Sequence, residues 1–209
     1  MDKITAFITR KPGEILVIQH QTSGIQLPAG TVDINETIEE ALFREIEEET
    51  GIQRAQITSV QKIHECNNEL KRNEAVTEYD TPIYSRPTIE SFNWVKIRRG
   101  ITVRVLRRKK NFVQIKYIEW DQFPEKNYIS FSITGWTTSS YLTFIKRRHF
   151  FLLETKVKEL HKERKTDCTM FKPYFIKIFG NVKIINPQDK WMTILKRKYG
   201  KAIDKSIIG

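Results

Sequence analysis

The sequence has no apolar run approaching the about 20 residues that a helix needs to cross a bilayer, so it predicts no membrane-spanning helix. The N-terminal stretch carries Asp2 and lacks a long apolar segment before a small-residue cleavage site, which argues against a signal peptide. Only two cysteines are present, Cys66 and Cys168, far apart and outside any CxxC motif. Unpaired thiols of this kind are typical of a reducing compartment, so we expect a cytoplasmic protein.

Internal repeats and low-complexity linkers are also missing, which argues against repeat architectures and tethered arrays. The 209 residues, 39% of them hydrophobic, suffice for one ordinary core or for a core with a small second module. Because Val, Ile, Leu and Phe are frequent, the composition also argues against wholesale disorder.

Charge is unevenly spread along this basic chain, whose formal net charge is +11. Residues 1–80 contain 8 basic and 15 acidic residues, whereas residues 81–209 contain 28 basic and 10 acidic residues. Such a contrast suggests an acidic site that requires a cation, together with an anionic substrate or partner. The alternative is a solvated basic surface.

Short strand patterns dominate the first part of the chain. Residues 4–9 and 13–20 read as two strands joined by a turn at Lys11–Gly13, and residues 24–30 form a third extended piece. Residues 55–65 return to a strand pattern after an intervening helix.

That helix is predicted over Glu36–Thr50, with Asn35 as N-cap and Gly51 as C-cap glycine. On a helical wheel three of its carboxylates lie beside the core-facing positions, rather than opposite them: Glu45, Glu48 and Glu49. Like charges near a core repel one another and lose hydration, so this placement favours a bound divalent cation such as magnesium or manganese. The alternative is an ordinary solvated acidic face.

The same segment carries a spaced pattern: Gly30, five residues, Glu36, seven residues, and then R-E-I-E-E-E-T-G-I from Arg44 to Ile52. This resembles the box of the Nudix hydrolase family, G-x(5)-E-x(7)-R-E-U-x-E-E-x-G-U, in which U is aliphatic. All nine specified positions are filled, which makes the motif a specific one. The preceding Leu27–Ala29 also resembles the usual start of the box.

The resemblance implies an α/β fold, in which a loop–helix–loop is set on a Nudix α/β/α sandwich. It implies a metal-dependent pyrophosphohydrolase that cleaves a nucleoside diphosphate derivative or a nucleoside triphosphate by water attack at phosphorus. By position, Mg²⁺ or Mn²⁺ would be held by the following groups: the carboxylates of Glu45, Glu48 and Glu49, and the carbonyl of Gly30. Glu36 and Arg44 match a structural ion pair that braces the loop, and Gly51 matches the glycine at the end of the helix.

Proton removal from the attacking water needs a carboxylate, and the box offers Glu48 and Glu49. Relatives that take this base from a loop outside the box leave four further candidates open here: Glu65, Glu69, Glu74 and Glu78.

Residues 81–143 read as short strands without helical periodicity, so we predict a Nudix domain made of 1–80 and 144–209 with this segment inserted. The segment resembles a small bacterial Src-homology-three-like β-barrel: a glycine at Gly100 precedes paired strands, and Gly135-Trp136 and Tyr141-Leu142 resemble its closing elements.

Aromatic and basic residues of the insertion admit two interpretations each. Four aromatic side chains are either core or a ligand groove, and we favour core: Trp94, Trp120, Trp136 and Tyr141. The basic run either tracks a phosphate backbone or lies on the wet face of a sheet, and we favour the wet face for Arg98 and Arg104.

The C-terminal part completes the sandwich. Residues 148–154 read as a strand, residues 173–185 as a strand or hairpin, and residues 186–200 as a helix with Asn186 as a cap and Pro187 in the first turn. Arg147, Arg148 and His149 are candidate substrate contacts, because cations can meet phosphates and an imidazole can meet a base or ribose. The alternative for His149 is a satisfied edge histidine, which we favour.

Two other functions stay open: a nucleotide-sensing module without catalysis, and a pyrophosphohydrolase of RNA 5′ ends. The leading partner is a small nucleotide, with RNA as an alternative and no membrane partner. Around residues 67–70 we see no residue that marks a known substrate subtype. Nudix enzymes are often dimers, so a homodimer is also open.

Overall fold

The computed structural model describes residues 1–10, 13–20, 23–122, 126–160, 164–166 and 169–206, with the side chains at 68–69, 164–166, 169 and 199–206 left out. Lys11 and Pro12 of the predicted turn, Cys168 and the side chain of Glu69 therefore lie outside the described residues. The chain forms two compact units. The first unit comprises residues 3–65 and 148–209, and the second unit comprises residues 1–2 and 66–147.

The described residues form strands and helices in this order: β1 (Asp2–Thr9), β2 (Glu14–His20), β3 (Gly24–Gln26), β4 (Ala29–Thr31), α1 (Ile38–Thr50), β5 (Ile57–Glu69), β6 (Glu74–Thr77), β7 (Thr81–Tyr84), β8 (Asn93–Ile97), β9 (Thr102–Lys109), β10 (Phe112–Trp120), β11 (Ile129–Thr138), β12 (Leu142–Thr143), β13 (Ile145–Thr155), β14 (Arg164–Thr166), β15 (Thr169–Lys177) and α2 (Gln188–Ser206). Strands predominate, and the predicted mixed α/β class is confirmed.

The first unit is built on a sheet of order β14-β15-β2-β1-β13-β5, with β3 paired to β2 and β4 paired to β1. In the β1–β4 pair, Ile4 lies opposite Gly30 and Thr5 opposite Ala29. The register is antiparallel. This pairing fixes the start of the acidic segment on the sheet.

Helix α1 forms because its apolar positions recur on one side and bury there, at Ala41, Leu42 and Ile46. The predicted N-cap Asn35 is wrong: its φ is 68°, and it lies in the turn before the helix. Thr37 caps the helix instead, in a capping box with Glu40. The C-cap Gly51 is confirmed, with φ 74° and its N–H donating to the Glu47 carbonyl.

The two helices pack on opposite faces of this sheet. Ile4, Ala6 and Ile8 of β1 share a buried cluster with α1. Phe7 alternates to the other face of β1 and stacks on Phe150, whose ring meets Trp191 of α2 edge-on at a centroid distance of 5.7 Å. Helix, sheet and helix therefore form the predicted α/β/α sandwich.

The C-terminal elements differ from the prediction in their boundaries. Strand β15 ends at Lys177, and no strand follows among the described residues 178–185. Helix α2 begins at Gln188, so Pro187 precedes the first turn rather than lying in it. No helix among the described residues has both the length and the apolar character needed to cross a membrane.

The second unit is a seven-stranded antiparallel sheet of order β12-β6-β9-β10-β11-β7-β8. Its core is a cluster of small aliphatic residues: Ala75, Ile83, Ile97, Val103, Val113, Ile115 and Leu142. Trp136 is buried as predicted, but Trp94 and Trp120 are 52% and 36% exposed, so their assignment to the core was wrong. The aliphatic residues already fill that core. Arg98 and Arg104 are exposed, which agrees with both interpretations of the basic run.

Candidate active site on the acidic helix

The carboxylates of α1 differ in burial because the helix rests on the sheet along one stripe. Glu45 is 14% exposed and Glu48 is 49% exposed, while Glu49 is partly buried. Glu47 points into solvent, as expected for a position that the motif leaves unspecified. The ring of Phe43 is covered by the Arg54 guanidinium, which lies 4.4 Å from the ring centroid.

Strand β4 contacts two of the clustered carboxylates. The Ala29 amide donates a hydrogen bond to Glu49 Oε2 over 3.1 Å. Gly30 leaves room for Glu45: a Cβ at this position would lie only 1.8 Å from Glu45 Oε1. Glycine is therefore required here for the close approach of a side chain, and its φ is not the reason.

Arg44 braces the loop against the helix. Its Nε and Nη2 donate to the two oxygens of Glu36 over 2.8 and 2.9 Å, and Nη2 also donates to the Thr31 carbonyl over 3.1 Å. This bidentate pair agrees with the structural role that the motif implies for Glu36 and Arg44. The hydrogen bonds that Arg44 donates to Glu36, together with the charge of Glu45, raise the pKa of Arg44.

The same guanidinium reaches two of the clustered acids. Arg44 Nη1 donates to Glu45 Oε1 over 3.0 Å and lies 3.4 Å from Glu48 Oε2. Among the described residues no three acidic, histidine or cysteine side chains converge on one point as a metal site. The three carboxylates are thus neighbours whose oxygens are partly engaged by Arg44.

The electrostatics of the cluster are those of crowded, poorly hydrated acids. Burial, with the charges of Glu45 and Glu48, raises the pKa of Glu49 well above its usual value, against the lowering effect of the Ala29 amide. Burial also raises the pKa of Glu45, while Arg44 opposes this shift. One guanidinium therefore does not offset three carboxylates, and a hard divalent cation fits this oxygen donor set.

The three predicted substrate contacts each have protein partners of their own. Arg148 is buried, donates from Nη1 to the Ile4 carbonyl and to Thr5 Oγ1, and stacks on Trp191. Arg147 belongs to the second unit and pairs with Asp2 over 3.0 Å. His149 is buried, with Nδ1 3.1 Å from Glu65 Oε2.

Two of the candidate bases outside the box have ion-pair partners of their own. Glu65 pairs with Lys62 as well as His149, and the Lys62 hydrogen bond lowers its pKa. Glu74 pairs with Lys71 in the second unit, where Glu78 also lies.

Sequence reasoning missed both contacts between β4 and α1: the Ala29 amide bond to Glu49 and the contact between Gly30 and Glu45. The strand pattern at residues 24–30 was visible, but its pairing with β1 was not, and that pairing sets both contacts. The sharing of Arg44 between Glu36, Glu45 and Glu48 was likewise not visible from spacing.

Comparisons with known proteins agree with the motif. The model of the NUDIX domain matches residues 1–126. Among solved structures, an Escherichia coli dihydroneopterin triphosphate pyrophosphohydrolase is similar with 10% sequence identity, covering 85% of this chain and 80% of its own, at a TM-score of 0.38 that is too low to carry an argument. No curated protein matches the chain. The family match over more than half of the chain, with the complete motif at its centre, establishes that the chain belongs to the Nudix family and is a hydrolase of phosphoanhydride bonds.

Proposed function

We propose that this chain is a metal-dependent pyrophosphohydrolase that cleaves the diphosphate linkage of a nucleoside diphosphate derivative or a nucleoside triphosphate. The observation that carries the proposal is the packing of Glu45 and Glu49 against β4, beside the more exposed Glu48. Three acids held together where hydration is reduced suit a site for a cation and a polyanionic substrate.

Mg²⁺ or Mn²⁺ would be held by Glu45, Glu48, Glu49 and the Gly30 carbonyl, and would neutralise phosphoryl oxygens and acidify a bound water. The fit rests on the all-oxygen donor set and on the room that Gly30 leaves for Glu45.

The residues of the chain have separate tasks in this proposal. Glu48 and Glu49 are the carboxylates that accept the proton of the attacking water. The Ala29 amide fixes one oxygen of Glu49, and Arg44 fixes Glu45 relative to the loop. These contacts orient the acids before substrate arrives, which is how a preorganised site lowers the barrier.

Substrate contacts outside the box remain part of the proposal. Arg147, whose side chain is 49% exposed, is the candidate for phosphate contact. Arg148 and His149 are buried against protein groups, so we propose that they support the sheet beside β1. The Nudix domain is proposed to be discontinuous around an insertion, which the sequence placed at 81–143 and which the second compact unit extends to residues 66–147. The enzyme is proposed to act in the cytoplasm.

The decisive experiment is a hydrolysis screen of nucleoside triphosphates, ADP-ribose, dinucleoside polyphosphates and 5′-triphosphate or capped RNA, with Mg²⁺ and Mn²⁺. Glu48→Gln and Glu49→Gln should each lower kcat/KM by about 100-fold or more. Glu47→Gln is the matched control, because it removes one exposed carboxylate from the same helix.

Two results would contradict the proposal. Unchanged hydrolysis by the Glu48 and Glu49 variants across the whole panel would remove these residues from the chemistry. Tight nucleotide binding without turnover in either metal would instead indicate a sensing module. Activity on RNA 5′ ends alone would change the substrate class and leave the reaction type unchanged.

A further inference from the structure

The second unit carries an open cavity of about 390 Å³ on one face of its sheet. Basic side chains dominate its charged lining, with one carboxylate among them: Lys71, Arg104, Lys116 and Glu74. The remaining lining comes from β9, β10 and the turn before β6, so every wall belongs to one compact unit.

Arg104 and Lys116 face each other directly, because they are register partners on β9 and β10. Like charges in this position destabilise a sheet when nothing lies between them. Glu74 is the register partner of Arg104 on β6, but its carboxylate accepts from the Lys71 amide and lies 3.9 Å from the Lys71 ammonium. Among the described residues no ion pair is found for Arg104 or Lys116.

A β-bulge extends this basic face along β9. Gln114 pairs with Arg107 and Ile115 with Val105, so Leu106 is the extra residue. Residues three apart on a regular strand point to opposite faces, but the bulge brings Arg107 back to the face of Arg104. Lys109, the partner of Phe112, lies on the same face.

The face continues along β10 from cations to an aromatic ring. Lys116, Ile118 and Trp120 alternate onto one side of the strand, and Trp120 is 36% exposed with the Lys126 ammonium 5.3 Å from its ring centroid. Exposed hydroxyl groups adjoin on β11, where Ser132 pairs with Ile118 and Thr134 with Lys116.

The length of the face decides what kind of anion it suits. From Phe112, opposite Lys109, to Trp120 the strand advances eight residues, or about 26 Å. A single phosphate or mononucleotide would meet only part of this span. An extended chain of phosphates with unpaired bases would meet the cations and the exposed indole together.

We propose that this face of β9, β10 and β11 binds single-stranded nucleic acid, with phosphates at Arg104, Lys116 and Arg107 and a base stacked on Trp120. The proposal is independent of catalysis at α1. It assigns the basic second half of the chain a partner of its own.

The test measures fluorescence anisotropy of a labelled twelve-nucleotide oligouridylate with a 5′-hydroxyl end, titrated with the full-length protein at several salt concentrations. The 5′-hydroxyl probe contains no phosphoanhydride, so failure of the proposed hydrolysis and failure of this binding are distinguishable. We expect binding that weakens linearly in log–log form as salt increases.

The double variant Arg104→Gln/Lys116→Gln removes two phosphate contacts and should reduce the salt slope by about 1.4. The affinity change between about 50 and about 200 mM salt should then be about sevenfold smaller than in the unchanged protein. The matched control is Arg86→Gln/Lys96→Gln, which removes the same charge from exposed positions on the β7–β8 hairpin. It should keep the original slope.

The stacking contact has its own pair of variants. Trp120→Ala should weaken oligonucleotide binding about tenfold. Trp94→Ala, which removes another exposed indole from edge strand β8, should leave it unchanged. Circular dichroism and thermal unfolding of all four variants establish that each is folded.

Several outcomes would overturn the proposal. They are an absence of oligonucleotide binding at about 50 mM salt, equal losses in the two double variants, and equally tight binding of uridine monophosphate. Binding to phosphatidylserine vesicles in place of the oligonucleotide would assign the face to an anionic membrane surface. Hydrolysis by Arg104→Gln/Lys116→Gln should match the unchanged protein on the screen substrate, and a loss there would make the face part of the catalytic site.

Discussion

Replacement of Gly30 by alanine should disable the site through one methyl group. The new Cβ would lie 1.8 Å from Glu45 Oε1 and 1.9 Å from its Cδ, whereas real Cβ atoms essentially never approach closer than 3.0 Å. The carboxylate must therefore move by at least about 1.2 Å. A displacement of about 1 Å in a catalytic group can lower activity about 100-fold, or about 2.7 kcal/mol in barrier height.

The assay is kcat/KM of Gly30→Ala on the best substrate of the screen, with Mg²⁺ and Mn²⁺ titrated. We expect the loss in activity to be accompanied by a higher metal requirement. Gly180→Ala makes the same chemical change away from α1, where the nearest contact to an added Cβ is 3.1 Å, and should retain activity. Activity of Gly30→Ala within about threefold of the unchanged protein, in a folded sample, would refute the reasoning.

A double-mutant cycle tests whether the effect passes through Glu45. In a Glu45→Gln background the carboxylate is already missing, so adding Gly30→Ala should lower activity much less than it does alone. Purely additive losses would show that the methyl group acts through the backbone or another contact.

Three further predictions concern the frame of the site. Thr37→Ala should lower the free energy of unfolding by about 1 kcal/mol in urea titrations because it removes the cap, whereas Asn35→Gly should be neutral or slightly stabilising because glycine adopts positive φ freely. The amide of Thr37 lowers the pKa of Glu40 from its usual 4.5, so this carboxylate stabilises the fold above pH 4.5 and loses that contribution as pH falls through its folded pKa. The difference in urea midpoint between Glu40→Gln and the unchanged protein should therefore disappear on acidification. Arg44→Lys should lower the free energy of unfolding by about 1 kcal/mol, because lysine cannot make the bidentate bond to Glu36.

Each of these has a result that contradicts it. Equal destabilisation by Asn35→Ala and Thr37→Ala, with Asn35→Gly equally harmful, would restore Asn35 as the cap. A midpoint difference for Glu40→Gln that persists well below pH 4 would show that the charge is not its source. An Arg44→Lys variant as stable as the unchanged protein would mean that water replaces the bidentate bond to Glu36 without lowering the free energy of unfolding.

The motif was sufficient to predict α1, its C-cap and the group of acids on it, because helical periodicity and fixed spacing are local properties. The N-cap error was also local: Thr37 and Glu40 form a capping-box pattern that the sequence displays, and Asn35 competed with it as another good capping residue. The contact of Ala29 and Gly30 with α1 was not predictable in this way, because it depends on the pairing of β4 with β1, which is remote in sequence.

In the second unit, the alternation of apolar and basic residues predicted the strands and the exposed arginines. It did not predict which aromatic side chains are buried. Trp136 is buried beneath the Arg107 guanidinium, whereas Trp94 and Trp120 are exposed although all three lie in similar strand patterns. The bulge at Leu106 decides which side chains share a face, and nothing in the local sequence announces a bulge of this kind. Register, rather than residue type, therefore limited the prediction there.

The loop between β4 and α1 is fastened at both ends. Glu36 accepts from Arg44 and from the Asp33 amide, and Arg44 also binds the Thr31 carbonyl. Surface loops ordinarily accept extra residues at little loss, because closure entropy rises slowly with length. A single residue inserted here would disrupt the hydrogen bonds that join Glu36, Arg44 and Thr31. We therefore expect this loop to tolerate insertions poorly and to be an unsuitable site for a graft or tag.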